Sequence, residues 1–486
     1  MKRRTFLTLS AGAALGLYQA ATTRHRARAA ATAADPFKIS LAEWSLVRTI
    51  RSGGMTNLDF PRVARQQFDI DCVEFVDQFF ADKAEDMTYL KELKGRAEGE
   101  GVAMGLIMLD TNGALAASAQ ASRDKAVERT RPWIDAARFL GCHTIRVNAR
   151  GSGTPDEMRG RMAESGARLA EYAAEEPGDG GAINVVIENH GGLSSDPQWL
   201  VSVMEAVNKP NFGALPDFGN FPPEINRYDA VEMLMPYAKA VSAKAMQFTP
   251  DDLVEETDYF RMMRIVRDGA YTGHVGVESG GPTPEGEAGA VRKTRNLLQR
   301  IREEQKDCQP IFNGKDLEGW GVVEGGEWTI ENGVLIGRNG RNWSTDPEKT
   351  GSWLHTDKQY GDFRLELQYT ISENGNSGVF FRSATEKNPA FTGYEMQIYD
   401  AAGSEPSKQG PSAIYDVVAP STNRVRPAGQ WNTVTITARG PRIAIEMNGE
   451  TVIDTELERS MRGYIGLQNH DERAIVRFRN IRLQEL

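Results

Sequence analysis

The first pattern along the chain is an alternation of short apolar runs with longer segments whose apolar residues recur at helical spacing. It extends from residue 36 to about residue 304, and its helical segments include residues 124–140 and 156–174. Eight such repeats predict an α/β fold with parallel strands, the (β/α)8 or TIM barrel. A doubly wound open sheet is the alternative, but no glycine-rich phosphate loop follows the first strand. The predicted strands are residues 38–46, 72–76, 103–109, 144–147, 184–187, 213–215, 240–245 and 274–277.

A second pattern begins after a short charged connector near residue 306. Short segments of alternating polarity follow one another there, separated by turn signals such as Asn332-Gly333 and Asn448-Gly449. We therefore expect two domains, a barrel over residues 35–305 and an all-β sandwich over residues 306–486. The predicted strands of the sandwich include residues 363–370, 379–382, 394–399, 433–438, 442–447 and 475–483.

Residues 1–34 differ from both patterns and resemble a twin-arginine export signal. Arg3 and Arg4 precede a modest apolar run, and small residues follow it as candidate cleavage positions. A membrane anchor is the alternative, but the apolar run is shorter than the roughly 20 residues that span a bilayer. The resemblance implies delivery to the periplasm or to the outside of the cell, with no stable membrane span after signal removal.

Charge and cysteine content narrow the class of partner. The sequence has 57 Lys and Arg residues against 67 Asp and Glu residues, and no basic stripe interrupts the mature chain. Nucleic acid is therefore not an expected partner, and a neutral, polar ligand fits the acidic balance better. The cysteines, Cys72, Cys142 and Cys308, have no spacing typical of a zinc site or a disulfide framework.

The candidate chemistry of the barrel lies where its strands end. The segment INVVIENHGG runs from a buried strand into Glu188 and His190, which share a face because side chains alternate along a strand. In a barrel both would point into the mouth, where the active sites of this fold lie. Carboxylates there suit a hard divalent ion such as Mn or Mg, and they could also act as bases on carbon acids. The other polar residues at strand ends are Glu74, Asp110, Asn148, Arg150, Asp217, Ser242, Lys244 and Glu278.

Several segments of this region resemble the sugar isomerase and epimerase superfamily with the xylose-isomerase-like barrel. They are ISLAEWSL, VVIENHGG, PDFGN, AVSAKAMQF and YTGHVGVESGG, and the resemblance covers residues 36–304. It implies a divalent metal held by Glu, Asp, His and Glu from strands 5 to 8. Glu188, Asp217 and Glu278 match this set, whereas Ser242 stands in the place of the histidine.

The same resemblance implies catalytic roles. Glu188 and Glu278 would act as bases on the carbon between a sugar carbonyl and a hydroxyl, while Lys244 would stabilise the developing enediolate. The alternative is a satisfied polar cluster, in which Lys244 and Arg150 neutralise the carboxylates. The expected substrate contacts of the barrel are His190, Asn148 and Arg150.

The candidate chemistry of the second domain lies on one face of a strand. The segment GYEMQIYD alternates so that Glu395, Gln397 and Tyr399 share a face. A row of acceptors, donors and aromatic surface suits a sugar-binding cleft. Most tryptophans in a sandwich belong to its core, but some could stack on a sugar. The further residues expected on this face are Arg382, Tyr415, Gln468 and His470, with Trp320, Trp343 and Trp353 as stacking candidates and Asp400 as a further substrate contact.

The motifs of this domain resemble the 3-keto-disaccharide hydrolase family over residues 309–486. They run from IFNGKDLEGW through ENGNSGVFFR and GYEMQIYD to GYIGLQNHDERAIVRFRNIRLQEL. The resemblance implies a concanavalin-like jelly roll that cleaves glycosides already oxidised at C3, with Glu395 and His470 as catalytic residues. Oxidation at C3 acidifies the C2 proton, so the group on C1 can leave by elimination and water can add back. A separate sugar dehydrogenase would have to supply the ketone.

Three functions are compatible with these features. The leading hypothesis is an exported enzyme that acts on keto-sugars or 3-keto-glycosides, with one or both domains catalytic. A second hypothesis makes the barrel a sugar isomerase or epimerase and the sandwich a lectin-like binding module. The third is a non-catalytic sugar-binding protein, for which Ser242 is the main support because it replaces a metal ligand.

Overall fold

The computed structural model describes residues 36–175, 181–341 and 343–486. The chain forms two compact units, of which the first ends at Arg302 and the second begins at Glu303. The predicted export signal at residues 1–34 lies outside the described residues. No helix within the described ranges combines the length and the apolar composition needed to cross a membrane.

The described part of the first unit contains eight strands: β1 (Lys38–Ala42), β2 (Cys72–Val76), β3 (Ala103–Met108), β4 (Thr144–Val147), β5 (Asn184–Glu188), β6 (Phe212–Leu215), β7 (Val241–Ala245) and β8 (His274–Ser279). They pair in parallel in the order β6-β5-β4-β3-β2-β1-β8-β7. Backbone hydrogen bonds also join β6 to β7, since Lys239 N donates to Ala214 O at 3.0 Å and Ser242 N donates to Pro216 O at 2.9 Å. The sheet is therefore a closed barrel, which confirms the predicted fold and excludes the open sheet.

Helices connect the strands of the barrel, and their ends follow local sequence signals. At the start of the fifth helix, Thr154 and Glu157 form a capping box and Pro155 occupies the first helical position. The first strand is shorter than predicted, because Glu43–Leu46 form a 3-10 turn after Ala42. The helices are α1 (Val47–Arg51), α2 (Phe60–Phe68), α3 (Met87–Gly99), α4 (Gln120–Leu140), α5 (Pro155–Ala174), α6 (Pro197–Val207), α7 (Arg227–Leu234), α8 (Tyr259–Asp268) and α9 (Pro284–Asp307).

Alternation along β5 separates the core of the barrel from its site. Val185 and Ile187 pack in the large apolar cluster that includes the helices, whereas Val186 belongs to a small apolar cluster formed mainly by other strands. Glu188 lies on the same side of the strand as Val186, since side chains alternate. The inner apolar layer thus lies beneath the polar residues at the carboxyl ends of the strands.

The second unit is a β-sandwich, as predicted. One sheet has the order β10-β13-β20-β15-β16, and the other has the order β11-β12-β21-β14-β17-β18-β19, with β9 paired to β21. These strands are β9 (Gln309–Pro310), β10 (Trp320–Val323), β11 (Glu327–Glu331), β12 (Val334–Arg338), β13 (Trp353–Tyr360), β14 (Phe363–Ile371), β15 (Asn376–Ser383), β16 (Tyr394–Tyr399), β17 (Asn432–Arg439), β18 (Arg442–Met447), β19 (Glu450–Glu456), β20 (Gly463–Gln468) and β21 (Val476–Glu485), and the short helix α10 is Pro389–Thr392.

The smaller sheet of the sandwich presents two different faces. Met396 and Ile398 of β16 pack in the apolar core between the sheets. Glu395 and Gln397 therefore point to the opposite side of the same strand. This outer face carries the polar cleft described below.

Candidate active sites

A cavity of about 440 Å³ opens at the carboxyl ends of the barrel strands. Glu188 and His190 both line it, as the alternation of INVVIENHGG predicted. Glu188 is buried and His190 is exposed. The other polar or aromatic lining residues are Trp44, Arg48, Gln78, Asp110, Arg146, Arg150, Lys244, Glu278, Ser279 and Glu287.

The predicted carboxylate set comes together in this barrel. Glu188, Asp217 and Glu278 each offer one oxygen atom, and these atoms lie within 4.8 Å of one another. The hydroxyl of Ser242 donates to Asp217 Oδ2 at 2.6 Å. A hydroxyl therefore contacts the carboxylate set at the position where the resemblance implies a histidine. Clustered carboxylate oxygens fit a hard divalent ion such as Mg or Mn, so the residues present are chemically suited to hold one.

A buried arginine neutralises part of this cluster. Arg146 on β4 directs its Nε to Glu188 Oε2 at 2.8 Å and its Nη1 to Asp110 Oδ1 at 2.7 Å, and it is 1% exposed. The sequence interpretation that assigned this cation to Arg150 is wrong. Arg150 instead donates from Nη1 to the backbone carbonyl of Asp110 at 2.8 Å. The missed signal was a charged residue in the middle of the apolar strand TIRV.

The other two carboxylates have separate donors. Lys244 Nζ lies 2.6 Å from Glu278 Oε1. Asp217 Oδ1 accepts hydrogen bonds from the backbone N–H groups of Gly219 and Asn220 at 2.8 and 2.9 Å. The cluster is thus built from paired charges and satisfied acceptors, as the alternative interpretation of the sequence expected for Lys244.

Burial dominates the electrostatics of the barrel site. It raises the pKa of Glu188 to about 7, although Arg146 opposes the rise. It also raises the pKa of Asp217 to about 7 against the effect of Lys244. Burial alone would lower the pKa of Lys244, but the neighbouring Glu278 raises it above its usual value. Lys244 therefore keeps its positive charge at neutral pH.

Two further polar residues at strand ends lie deeper in the barrel. Asn148 is buried and donates from Nδ2 to Asp110 Oδ1 at 2.9 Å, so its amide orients this carboxylate. Asn148 is not among the residues that line the cavity. Glu74 is also buried, accepts from Ser40 Oγ at 2.6 Å, and has a pKa raised by burial to about 7. Asn220, which sequence reasoning missed, donates to Glu188 Oε1 at 2.8 Å.

The sandwich carries a second cleft, of about 420 Å³. Glu395 lies within it, 4% exposed, and accepts a hydrogen bond from Gln468 Nε2 at 3.0 Å. Burial raises the pKa of Glu395 to about 8, and the hydrogen bond from Gln468 opposes that rise only in part. No ion pair involves this carboxylate among the described residues. The residues lining the cleft are Trp343, Ser344, Thr345, Asn376, Asn388, Ala390, Phe391, Glu395, Gln397, Tyr415, Gln468 and His470.

The ring of His470 is fixed from two sides. Nδ1 lies 3.1 Å from Asp471 Oδ2. The ring stacks parallel to that of Trp343, with centroids 6.3 Å apart and an interplanar angle of 4°. Trp343 is itself held by its Nε1, which donates to Asn469 O at 2.9 Å and to Ser352 O at 3.1 Å. These contacts hold the imidazole at the edge of the cleft that contains Glu395.

Two residues predicted to contact substrate in the sandwich lie elsewhere. Arg382 is buried with φ of 52° and donates to the backbone carbonyls of Gly361 and Gly440, so it ties loops together. Asp400 accepts from the backbone N–H of Asn374 at 2.8 Å and fixes a turn. Arg382 does not reach the cleft face, because the pairing of β15 with β20 shifts register between Phe380 and Ser383. Asp400 lies outside the cleft lining, and its contact with substrate stays a prediction.

Aromatic residues of the sandwich divide between cleft and core. Trp343 and Tyr415 line the cleft, as expected. Tyr399 is 40% exposed and lies outside the cleft lining. Trp353 is fully buried in a small cluster with Phe380, and Trp320 packs in the main core.

The two units therefore define a barrel with a carboxylate-lined mouth joined to a β-sandwich with its own polar cleft. Residues 64–301 match the family described as the xylose isomerase-like TIM barrel, and residues 307–484 match the 3-keto-alpha-glucoside-1,2-lyase-like domain. Each of the two domains thus matches the model of one family. Both are enzyme families, so the protein is a carbohydrate-active enzyme with an isomerase- or epimerase-like barrel.

Three individual proteins illustrate what the two domains are similar to. A 3-keto-disaccharide hydrolase of Bacteroides thetaiotaomicron is 26% identical over 227 residues, covering 36% of this chain and 77% of that protein. The 3-keto-D-glucoside 4-epimerase of E. coli is 14% identical, with 55% of this chain and 99% of that chain covered and a TM-score of 0.43. A xylose isomerase-like TIM barrel protein from Mycobacterium smegmatis, crystallised with magnesium, is 16% identical, with 55% and 98% covered and a TM-score of 0.43.

Proposed function

We propose that the sandwich cleaves 3-keto-glycosides and that Glu395 is the base that removes the proton on C2. The observation that supports this is a carboxyl group buried in a sugar-sized cleft, with an amide as its neighbour and with a pKa of about 8. A group whose pKa lies near the working pH can both take and return a proton, which is what a general base on a carbon acid must do.

The reaction runs by elimination and addition. Ionised Glu395 takes the C2 proton, and the electron pair of the C–H bond passes into an enediolate with the C3 carbonyl oxygen. The enediolate expels the oxygen on C1 as a C1–C2 double bond forms, and His470 gives that oxygen a proton. Water then adds to C1 and gives a proton to His470, which restores the imidazolium, while Glu395 returns its proton to C2. Gln468 orients the carboxylate, while Trp343 and Tyr415 offer ring surface to the sugar.

We further propose that the barrel interconverts keto-sugars as an isomerase or epimerase. Glu188 and Glu278 lie close enough to act on one bound sugar, and Lys244 beside Glu278 would stabilise enediolate charge. A divalent ion, held by Glu188, Asp217 and Glu278, would polarise the carbonyl when bound. Both domains would then use the same chemistry, removal of a proton next to a ketone.

We also propose where the protein acts and which class of enzyme makes its substrate. We infer export through the twin-arginine route from Arg3 and Arg4. Replacing both by lysine should leave the precursor in the cytoplasm, whereas unchanged export would contradict the inference. Because neither reaction oxidises the hydroxyl group on C3, we propose that a separate dehydrogenase first converts the glycoside into the 3-keto form.

The test of the sandwich proposal is release of 4-nitrophenol from a 4-nitrophenyl 3-keto-glucoside by the full-length protein. Glu395→Gln should lower the rate by about 10²–10⁴-fold, the usual contribution of a general base. The matched control is Glu188→Gln, which removes the same charge from the barrel and should leave the rate unchanged. If the protein binds the glycoside without cleaving it, the sandwich is a lectin-like module and the proposal fails.

A further inference from the structure

Two arginines at the mouth of the barrel have no carboxylate partner in the part of the chain that the structure describes. Arg48 in α1 and Arg150 after β4 both line the 440 Å³ cavity. Arg48 donates from Nε to the backbone carbonyl of Gly281 at 2.8 Å, and Arg150 donates from Nη1 to that of Asp110 at 2.8 Å. Among the described residues, neither guanidinium forms an ion pair. Each is held in place, but its charge is not neutralised.

The acidic residue next to Arg48 is already satisfied by other donors. Glu287 Oε1 accepts from the backbone N–H of Arg48 at 2.7 Å. Its Oε2 accepts from the backbone N–H and the hydroxyl of Thr49, both at 3.0 Å. Glu287 therefore stabilises the start of the short helix α1 rather than the guanidinium of Arg48.

The other two cations that line the cavity form ion pairs with acidic residues. Arg146 pairs with Glu188 and Asp110, and Lys244 pairs with Glu278. Of the lining residues that the structure shows without an ion-pair partner, Arg48 and Arg150 are positive, and the negative one, Glu287, is only 1% exposed. This differs from the chain as a whole, whose formal net charge is −10, since overall charge does not fix the charge of one cavity.

The two guanidinium groups suit one kind of ligand. Arginine presents a planar fork of N–H donors that matches the oxygens of carboxylate and phosphate groups. One backbone bond to each side chain leaves the remaining donors available. Arg48 follows β1 and Arg150 follows β4, so both stand at the carboxyl-terminal end of the barrel and line its cavity. The exposed ring of His190 adds a further polar group to the same mouth.

We propose that the sugar taken by the barrel carries an anionic group, a carboxylate or a phosphate, which Arg48 and Arg150 bind. This inference rests on the barrel function proposed above and names its substrate class. It replaces the neutral ligand that the acidic composition favoured.

The test is calorimetric binding of D-glucuronate, D-glucose 6-phosphate and D-glucose to the full-length protein at low ionic strength. At least one anionic sugar should bind about tenfold or more tightly than glucose, and comparison of the two separates carboxylate from phosphate. The double variant Arg48→Gln/Arg150→Gln should lose this preference, so that the anionic sugars bind no more tightly than glucose. The control is Arg129→Gln, which removes an exposed arginine from the outer helix α4 and should keep the preference.

Equal binding of the three sugars, binding of none, or a preference that survives the double substitution would overturn the inference. The proposed function is read separately, from Glu188-dependent deuterium exchange into keto-sugars. Exchange that is as fast for neutral as for anionic keto-sugars would leave the function standing and the inference overturned. Arginine-dependent binding without any exchange would support the inference and contradict the function.

Discussion

Both units bury a glutamate in a cavity, but the partner of its carboxyl group is a cation in one unit and a neutral amide in the other. Glu188 of the barrel faces the guanidinium of Arg146 at 2.8 Å, whereas Glu395 of the sandwich faces the amide of Gln468 at 3.0 Å. Burial raises the pKa of each, to about 7 beside the cation and to about 8 beside the amide. The barrel thus preserves a charged cluster suited to hold an ion or polarise a sugar. The sandwich keeps an isolated carboxyl group that is suited to exchanging a proton.

The largest effect on stability should come from removing the cation of the barrel. Arg146→Met leaves Asp110 and Glu188 buried without their partner, which should lower the free energy of unfolding by about 3–5 kcal/mol. The measurement is urea denaturation of the full-length protein. Arg150→Met is the control, because Arg150 pairs with no carboxylate and its loss should cost less than about 1 kcal/mol. Equal losses in the two variants would contradict the role given to Arg146.

Replacing either glutamate by glutamine should relieve a loss of stability that grows with pH. The pKa of Glu395 is about 8 in the folded chain against an ordinary value of 4.5, so between these values only the unfolded chain ionises. The folded state therefore loses stability as pH rises, by roughly 3 kcal/mol between about pH 5 and pH 8. Glu395→Gln should remove this loss and stabilise the protein at about pH 8.

Glu188→Gln should also stabilise the protein at about pH 8, but by less than Glu395→Gln does. The pKa of Glu188 is raised only to about 7, because Arg146 opposes the effect of burial, so ionisation of Glu188 costs the folded state about 1 kcal/mol less. Scanning calorimetry of the parent and both variants at about pH 5 and pH 8 measures the two effects together. Destabilisation by Glu395→Gln at the higher pH would mean that this carboxylate has a charge partner after all.

A smaller effect is expected from restoring the missing histidine. Ser242→His should complete the set with Glu188, Asp217 and Glu278, and because metal binds the folded state it should add about 1–3 kcal/mol of stability when Mn is supplied in excess. A chelator should remove that gain. If the variant takes up no additional Mn while Lys244→Met destabilises the parent, the carboxylates are a structural cluster centred on Lys244.

The sequence was sufficient for the two folds and for much of both sites, because these depend on local periodicity. Alternation along β5 and β16 placed Glu188, His190, Glu395 and Gln397 on the correct faces. The ordered repeats of strand and helix predicted a closed barrel, although only the contacts at Lys239 and Ser242 establish its closure.

The sequence could not predict contacts between side chains from distant segments, because these depend on the tertiary structure. Arg146 and Arg150 have the same parity on and after β4, and nothing local tells which one turns inward to Glu188. Arg382 was misplaced because the pairing of β15 with β20 shifts register between Phe380 and Ser383. A register shift depends on contacts between distant segments, so alternation within one strand cannot reveal it.

The most direct test of the account is deuterium exchange at C2 of a 3-keto C-glucoside in D2O, followed by proton NMR with the full-length protein. The C1–C bond of this compound does not break, so the exchange isolates the proton abstraction assigned to Glu395. We predict exchange by the parent, exchange at the same rate by Glu188→Gln, and a loss of about 10²-fold or more in Glu395→Gln. Exchange that survives in Glu395→Gln, or that disappears only in Glu188→Gln, would contradict the assignment of glycoside cleavage to the sandwich.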